Sequence, residues 1–134
     1  MITIDCNVLV HLLLDGEQTP RARTLLEQDA DWHSDALLLI ELTNVLATAI
    51  RVRGMRMTDA VMALTQAQVV VAPGLHSANH HEVLATAEHY RVSSYDAHYL
   101  VVARELGVRL VTEDARLRKA APKLTQSLAD AVGY

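Results

Sequence analysis

The sequence predicts a three-layer α/β/α fold on a mainly parallel central sheet. Short apolar or β-branched runs alternate with longer segments whose apolar residues recur at helical spacing. Glycines close some of the longer segments, notably Gly54 and Gly107. The stretch from Ser94 to Asp114 reads as one complete unit of helix, glycine stop, short strand and acidic loop. Ser93 or Ser94 caps that helix, and Tyr99, Leu100, Ala103 and Leu106 mark the face that packs on a sheet. Val108–Val111, broken by Arg109, is the strand. A helix feeding a parallel strand runs antiparallel to it. Asp96 in the first helical turn and Asp114 beyond the strand are therefore expected at one sheet rim, where open α/β sheets place their ligands.

In chain order, Met1 to Cys6 is a short strand ending in Asp5-Cys6-Asn7. Val8, Leu9, Leu12 and Leu13 carry a short helix that stops near Asp15-Gly16. Pro20 suits a first helical turn, and Ala22, Leu25 and Leu26 give the next helix its apolar face. Trp32 and His33 lie in an extended piece leading to Ser34-Asp35, a helix cap. A long helix runs from Ala36 to about Arg53, and Thr58 caps another that reaches Ala67. Gln68 to Ala72 is expected to be a strand, stopped by Pro73-Gly74. A helix then spans roughly Ser77 to Tyr90, and Ser127–Tyr134 is open to a short helix or an edge strand.

A length of 134 residues is that of one domain, 1–134, long enough to bury a sizeable core. With 51% hydrophobic and 21% charged residues the chain is globular rather than disordered. The single cysteine, Cys6, reads as a small core residue and fits a reducing cytoplasm. No run approaches the roughly 18 apolar residues of a membrane span, and no basic stretch precedes an apolar signal core, so a cytoplasmic protein is expected. A net charge of −4 argues against holding nucleic acid by bulk charge. Local basic clusters remain: Arg51, Arg53 and Arg56, and Arg116, Arg118, Lys119 and Lys123. Each is open to a solvated surface or to phosphate contacts.

Four acids merit individual weighing. Asp5 ends the first strand at the same rim as Asp114, though it also suits a helix cap. Glu41 lies inside a helix among Leu37, Leu38, Leu42 and Val45, too far in to cap it. A carboxylate on an apolar face needs a partner, a buried Arg or a cation. Asp96 suits the helix dipole, and Asp114 could cap Ala115 onward. Singly, three of the four have ordinary explanations. Capping alone does not require all four at one edge. Glu113 is expected to point elsewhere, into solvent, with the role of an extra ligand as the alternative. His76 and His80 have i, i+4 spacing with His81 adjacent, but no Cys or acid cluster completes a zinc site, so a polar helix face is expected. Trp32 is read as core.

Ile4-Asp5-Cys6-Asn7-Val8-Leu9, Ile40-Glu41-Leu42, Tyr95-Asp96-Ala97-His98-Tyr99-Leu100 and Leu110-Val-Thr-Glu-Asp114-Ala-Arg-Leu together resemble the PIN-domain nucleases. Within them the pattern resembles most closely the VapC-type toxins of bacterial and archaeal toxin–antitoxin pairs, over essentially the whole chain. The resemblance implies a PIN-like fold with Asp5, Glu41, Asp96 and Asp114 as the catalytic and metal-binding quartet. It also implies that Asn7 and Thr112 orient those carboxylates. His98 and Glu113 crowd the third and fourth acids.

Carboxylates sharing a pocket repel, and a hard dication such as Mg2+, with Mn2+ as a substitute, relieves that conflict through oxygen ligands. The implied activity is metal-dependent endoribonuclease hydrolysis of phosphodiester bonds, with RNA as substrate, a cognate antitoxin as partner and a homodimer as assembly. Two rivals stand beside it: a catalytically silent PIN-fold binding module, and a receiver-like Mg-binding switch. The receiver would need an Asp at the end of its central strand and a Lys after a late one, and Gln68–Ala72 ends without an Asp.

Overall fold

The sheet is built from five parallel strands: β1 (Ile2–Ile4), β2 (Trp32–Asp35), β3 (Leu75–His76), β4 (Leu110–Val111) and β5 (Thr125–Gln126), side by side in the order β3-β2-β1-β4-β5. This arrangement comes from a computed structural model that describes residues 1–133. Between the strands run α1 (Cys6–Leu13), α2 (Thr19–Gln28), α3 (Leu37–Arg53), α4 (Met57–Val71), α5 (His80–Tyr90), α6 (Ser94–Leu106), α7 (Ala115–Ala120) and α8 (Leu128–Val132). One helical layer holds α5 and α6, with α6 lying on β1, β2 and β4. The other gathers α1, α2, α3 and α4, and α4 reaches β2. The expected three-layer α/β/α architecture is present, and its sheet is wholly parallel. No helix among the described residues is long and apolar enough to cross a membrane.

Parallel strands covered on both faces are rich in apolar residues, as β1 and β4 are here. Ile4, Leu110 and Val111 are fully buried, as are Leu9, Leu38, Leu42 and Leu100 from the flanking helices. Trp32 is core, as expected, and its indole N–H donates to the Asp29 carbonyl at 2.9 Å.

The expected strand at Gln68–Ala72 is absent. Those valines finish α4, which runs to Val71. The reason is packing. Ala60, Ala63, Ala67 and Val71 recur at helical spacing and are buried, so tertiary contact overrides the β preference of Val69-Val70-Val71. Thr58 is not the cap either. Met57 already lies in the helix, and Arg56, at the cap position, pairs its side chain with Asp59. The strand of this region is Leu75–His76, directly after Pro73-Gly74. Gly74 is required there, since a Cβ would stand 2.2 Å from the Trp32 carbonyl oxygen. Helix α5 then starts at His80 rather than Ser77, capped by the Asn79 side chain. The C-terminal stretch is a helix, Leu128–Val132, and the part of it at Tyr134 lies outside the described residues. Thr125–Gln126, with too little pattern to read, adds the edge strand beside β4.

Candidate active site

Strands β1 and β4 are in register at Ile4 and Val111, so the residues after each strand leave the sheet at one edge. Asp5 comes directly after β1 and is buried, and the Thr112-Glu113-Asp114 turn comes directly after β4. Ser93 caps α6, its hydroxyl accepting from the Asp96 N–H at 3.1 Å, which fixes Asp96 in the first turn. Glu41, in the second turn of α3, meets α6 through Tyr99, whose hydroxyl donates to Glu41 Oε1. Four separate elements thus each bring one acid to the rim.

Their electrostatics record the convergence. Burial, with hydrogen bonds opposing it and the charges of Asp96 and Asp114 adding to it, pushes the Asp5 carboxyl up to about 6. Asp96 is also raised, by desolvation first and then by Asp114 and Glu41. Burial, with Glu41 and Asp5 behind it, pushes the Cys6 thiol up to about 12, so Cys6 is inert at neutral pH. Desolvation and the bond to Glu41 raise Tyr99 far above the ordinary phenol range, keeping its hydroxyl a donor. Among the described residues, no three Asp, Glu, His or Cys side chains stand close enough to form a ready-made ion cage. The acids line one edge and repel across it.

Thr112 ties two of them together. Its hydroxyl donates to Asp5 Oδ2 at 2.5 Å and accepts from the Asp114 N–H at 3.1 Å. The Asp5 Oδ1 atom meanwhile accepts from the Val8 N–H at 3.2 Å, so the capping and rim roles coexist in one carboxylate. Asp114 likewise caps α7 through the N–H groups of Arg116 and Leu117. Asn7 is exposed and lines the cavity beside Glu41. Glu113 points away, as expected, but not into bulk solvent: its Oε1 accepts from the Leu128 N–H at 2.6 Å at the start of α8. Arg118 donates to the Thr112 carbonyl at 2.9 Å, placing one guanidinium beside the acidic turn, while Arg51 and Arg53 are exposed at the far end of α3.

The histidine spacing does not make a helix face. His76 sits in β3, stacked on His33 with ring centres 5.2 Å apart, and His80 opens α5. Sequence reasoning missed the Tyr99–Glu41 bond, having placed Tyr99 only on the packing face. The available signal was a hydroxyl-bearing ring on an otherwise aliphatic stripe, three residues after Asp96. As a donor set, the rim carboxylates suit a hard dication with retained waters.

The PIN domain family matches residues 2–123. Among solved structures, the chain is similar to PAE2754 from Pyrobaculum aerophilum, at 20% identity and a TM-score of 0.79, covering 98% of this chain and 85% of that one. It is also similar to FitAcB from Neisseria gonorrhoeae, at 16% identity and a TM-score of 0.68, covering 95% and 96%. Those identities show a shared fold. No curated protein matches. The central strand is β1, and an Asp does come directly after it, so the strand end does not set this chain apart from a receiver domain. Family membership does. PIN domains are generally nucleases, and with the family pattern running from β1 through α7 on this fold, the chain belongs to the PIN-domain family.

Proposed function

We propose that the protein is a metal-dependent endoribonuclease of the VapC type, the toxin of a toxin–antitoxin pair, working as one nuclease domain over 1–134. One observation carries the reading: acids from four separate elements face one rim, where burial first and then their mutual charge raise Asp5 and Asp96. Such repulsion is what a bound cation relieves. Asp5, Glu41, Asp96 and Asp114 are the residues that hold Mg2+, or Mn2+ in its place. A dication held by these carboxylates would supply Lewis-acid polarisation of a phosphodiester and stabilise the charge that develops as it is hydrolysed.

The chain's own residues do the positioning. Thr112 fixes Asp5 and the Asp114 backbone relative to each other, and Tyr99 holds Glu41. Arg118, anchored on the Thr112 carbonyl, is the basic residue best placed for a phosphate beside the cut. The substrate is RNA, the partner a cognate antitoxin, the assembly a homodimer and the compartment the cytoplasm.

The test is cleavage of a mixed cellular RNA pool by purified protein, with and without Mg2+ or Mn2+, beside Asp96→Asn. Metal-dependent cuts that vanish in the variant support the reading. A second reading, a catalytically silent PIN-fold binding module, is favoured by the lack of a ready ion cage among the described residues. Folded, antitoxin-free protein that cuts nothing under either metal decides for it.

A further inference from the structure

Two cavities flank the acidic rim, and the same two side chains, Leu37 and Ile40 of α3, wall both. The first, about 260 Å³, is lined by Glu41 and by Tyr95 of α6. The second, about 280 Å³, lies on the other side of Ile40 and is lined by His80 and His98. Each is just under the roughly 300 Å³ at which small-ligand pockets begin, room for one ring-sized group rather than a whole cofactor. They meet along Leu37 and Ile40, and the buried Asp35 also lines the second.

Their surface chemistry is unusual for the mouth of an acidic site. Ile40 is 66% exposed and Tyr95 is 61% exposed, so a flat apolar surface stands in water directly beside Glu41. At the second cavity, His98 Nδ1 lies 2.6 Å from the Ser94 carbonyl. A carbonyl can only accept, so Nδ1 carries a proton, and whenever the ring holds just that one, Nε2 is an acceptor. The His80 ring packs edge-on against His98, with centres 5.8 Å apart, and steadies that orientation. An apolar ledge with an aromatic ring, followed by a fixed imidazole acceptor, matches an unpaired nucleobase: a π-face to stack and N–H groups to donate.

We propose that Ile40, Tyr95, His80 and His98 form a subsite for one unpaired nucleobase next to the scissile phosphate, and so set which RNA sequence is cut. The base stacks on Ile40 and Tyr95, and its N–H edge donates to His98. This rests on the endoribonuclease reading for its substrate. The ledge itself needs only single-stranded RNA.

The experiment scans an abasic nucleotide along a short single-stranded oligoribonucleotide, taken from a site mapped in the RNA pool or, failing any cut, a mixed-sequence oligomer. Cleavage is followed for the native chain, and equilibrium binding of dye-labelled oligomers for Asp96→Asn. The expected result is one position beside the cut where losing the base lowers kcat/KM, and binding, by about tenfold. Ile40→Ala and His98→Ala, each with an unchanged melting midpoint, are expected to treat the intact and abasic oligomers alike. Uniform tolerance of abasic positions by the native chain overturns the subsite, as does a full tenfold gap retained in both variants. Base-dependent binding without any cleavage keeps the subsite and removes the nuclease. Neither binding nor cleavage removes both.

Discussion

Asp5→Asn, studied in chelator-treated protein, tests the electrostatics of the rim most directly. Burial, with the charges of Asp96 and Asp114 adding to it, pushes the Asp5 carboxyl from its ordinary 3.8 up to about 6. In the unfolded chain the group ionises at its ordinary value. Between the two values the folded protein keeps a proton that the unfolded chain has released, so stability falls as pH rises. The contribution is fully present below about pH 4 and is lost as the pH climbs through about 6. At about 1.4 kcal/mol per unit, the whole loss is about 3 kcal/mol. About 2 kcal/mol of it falls between about pH 4.5 and about pH 7.5.

Urea unfolding at those two pH values, in both proteins, isolates this group from the other titrating residues. The amide of the variant keeps an acceptor for the Val8 N–H and weakens the bond from Thr112, which costs about 1 kcal/mol at every pH and so leaves the slope untouched. The native chain is expected to lose about 2 kcal/mol more than Asp5→Asn over the interval, and millimolar Mg2+ at the higher pH is expected to restore most of it. Parallel profiles for the two proteins refute the reasoning, because they mean that Asp5 ionises normally in the folded state.

Other perturbations exploit the same geometry. Asp96→Asn removes a charge that burial and then its acidic neighbours disfavour, so without metal it is expected to melt no lower than the native chain, while its stabilisation by Mg2+ and its RNA cleavage are lost; calorimetry with and without chelator reads the first, gel assays the second. Tyr99→Phe leaves Glu41 without its donor, with an expected loss of about 1–3 kcal/mol in stability and a fall in kcat larger than any change in KM. Glu113→Ala removes the acceptor at the start of α8, with an expected loss of about 1 kcal/mol in urea unfolding and near-native cleavage, whereas Asp114→Asn is expected to abolish cleavage.

The fold was legible wherever caps and periodicity agreed. Ser93, Gly107 and the Tyr99-Leu100-Ala103 stripe define α6 from sequence because local and tertiary preferences coincide there. They disagree at Gln68–Ala72, where three valines favour a strand and the buried Ala60-Ala63-Ala67 stripe carries the helix onward. Strands of two residues, β3 and β5, are too short to show any period, so only their neighbours define them. At the rim, chain direction sufficed to bring Asp5, Asp96 and Asp114 together, since register and helix polarity are fixed by topology. The Glu41–Tyr99 bond depends on how α3 crosses α6, a packing geometry that spacing along one chain does not encode.

The bond from Thr112 to Asp5 spans 107 positions of sequence. A chain emerging from the ribosome therefore presents β1, α1 and the helices that follow α1 up to α4 long before its fourth acid exists in any ordered place. Pairing of β4 with β1 is a non-local contact, and the carboxylate cluster depends on it. Synthesis itself thus imposes a delay. A half-made chain therefore lacks the acidic rim, which exists only once the C-terminal strands have joined the sheet.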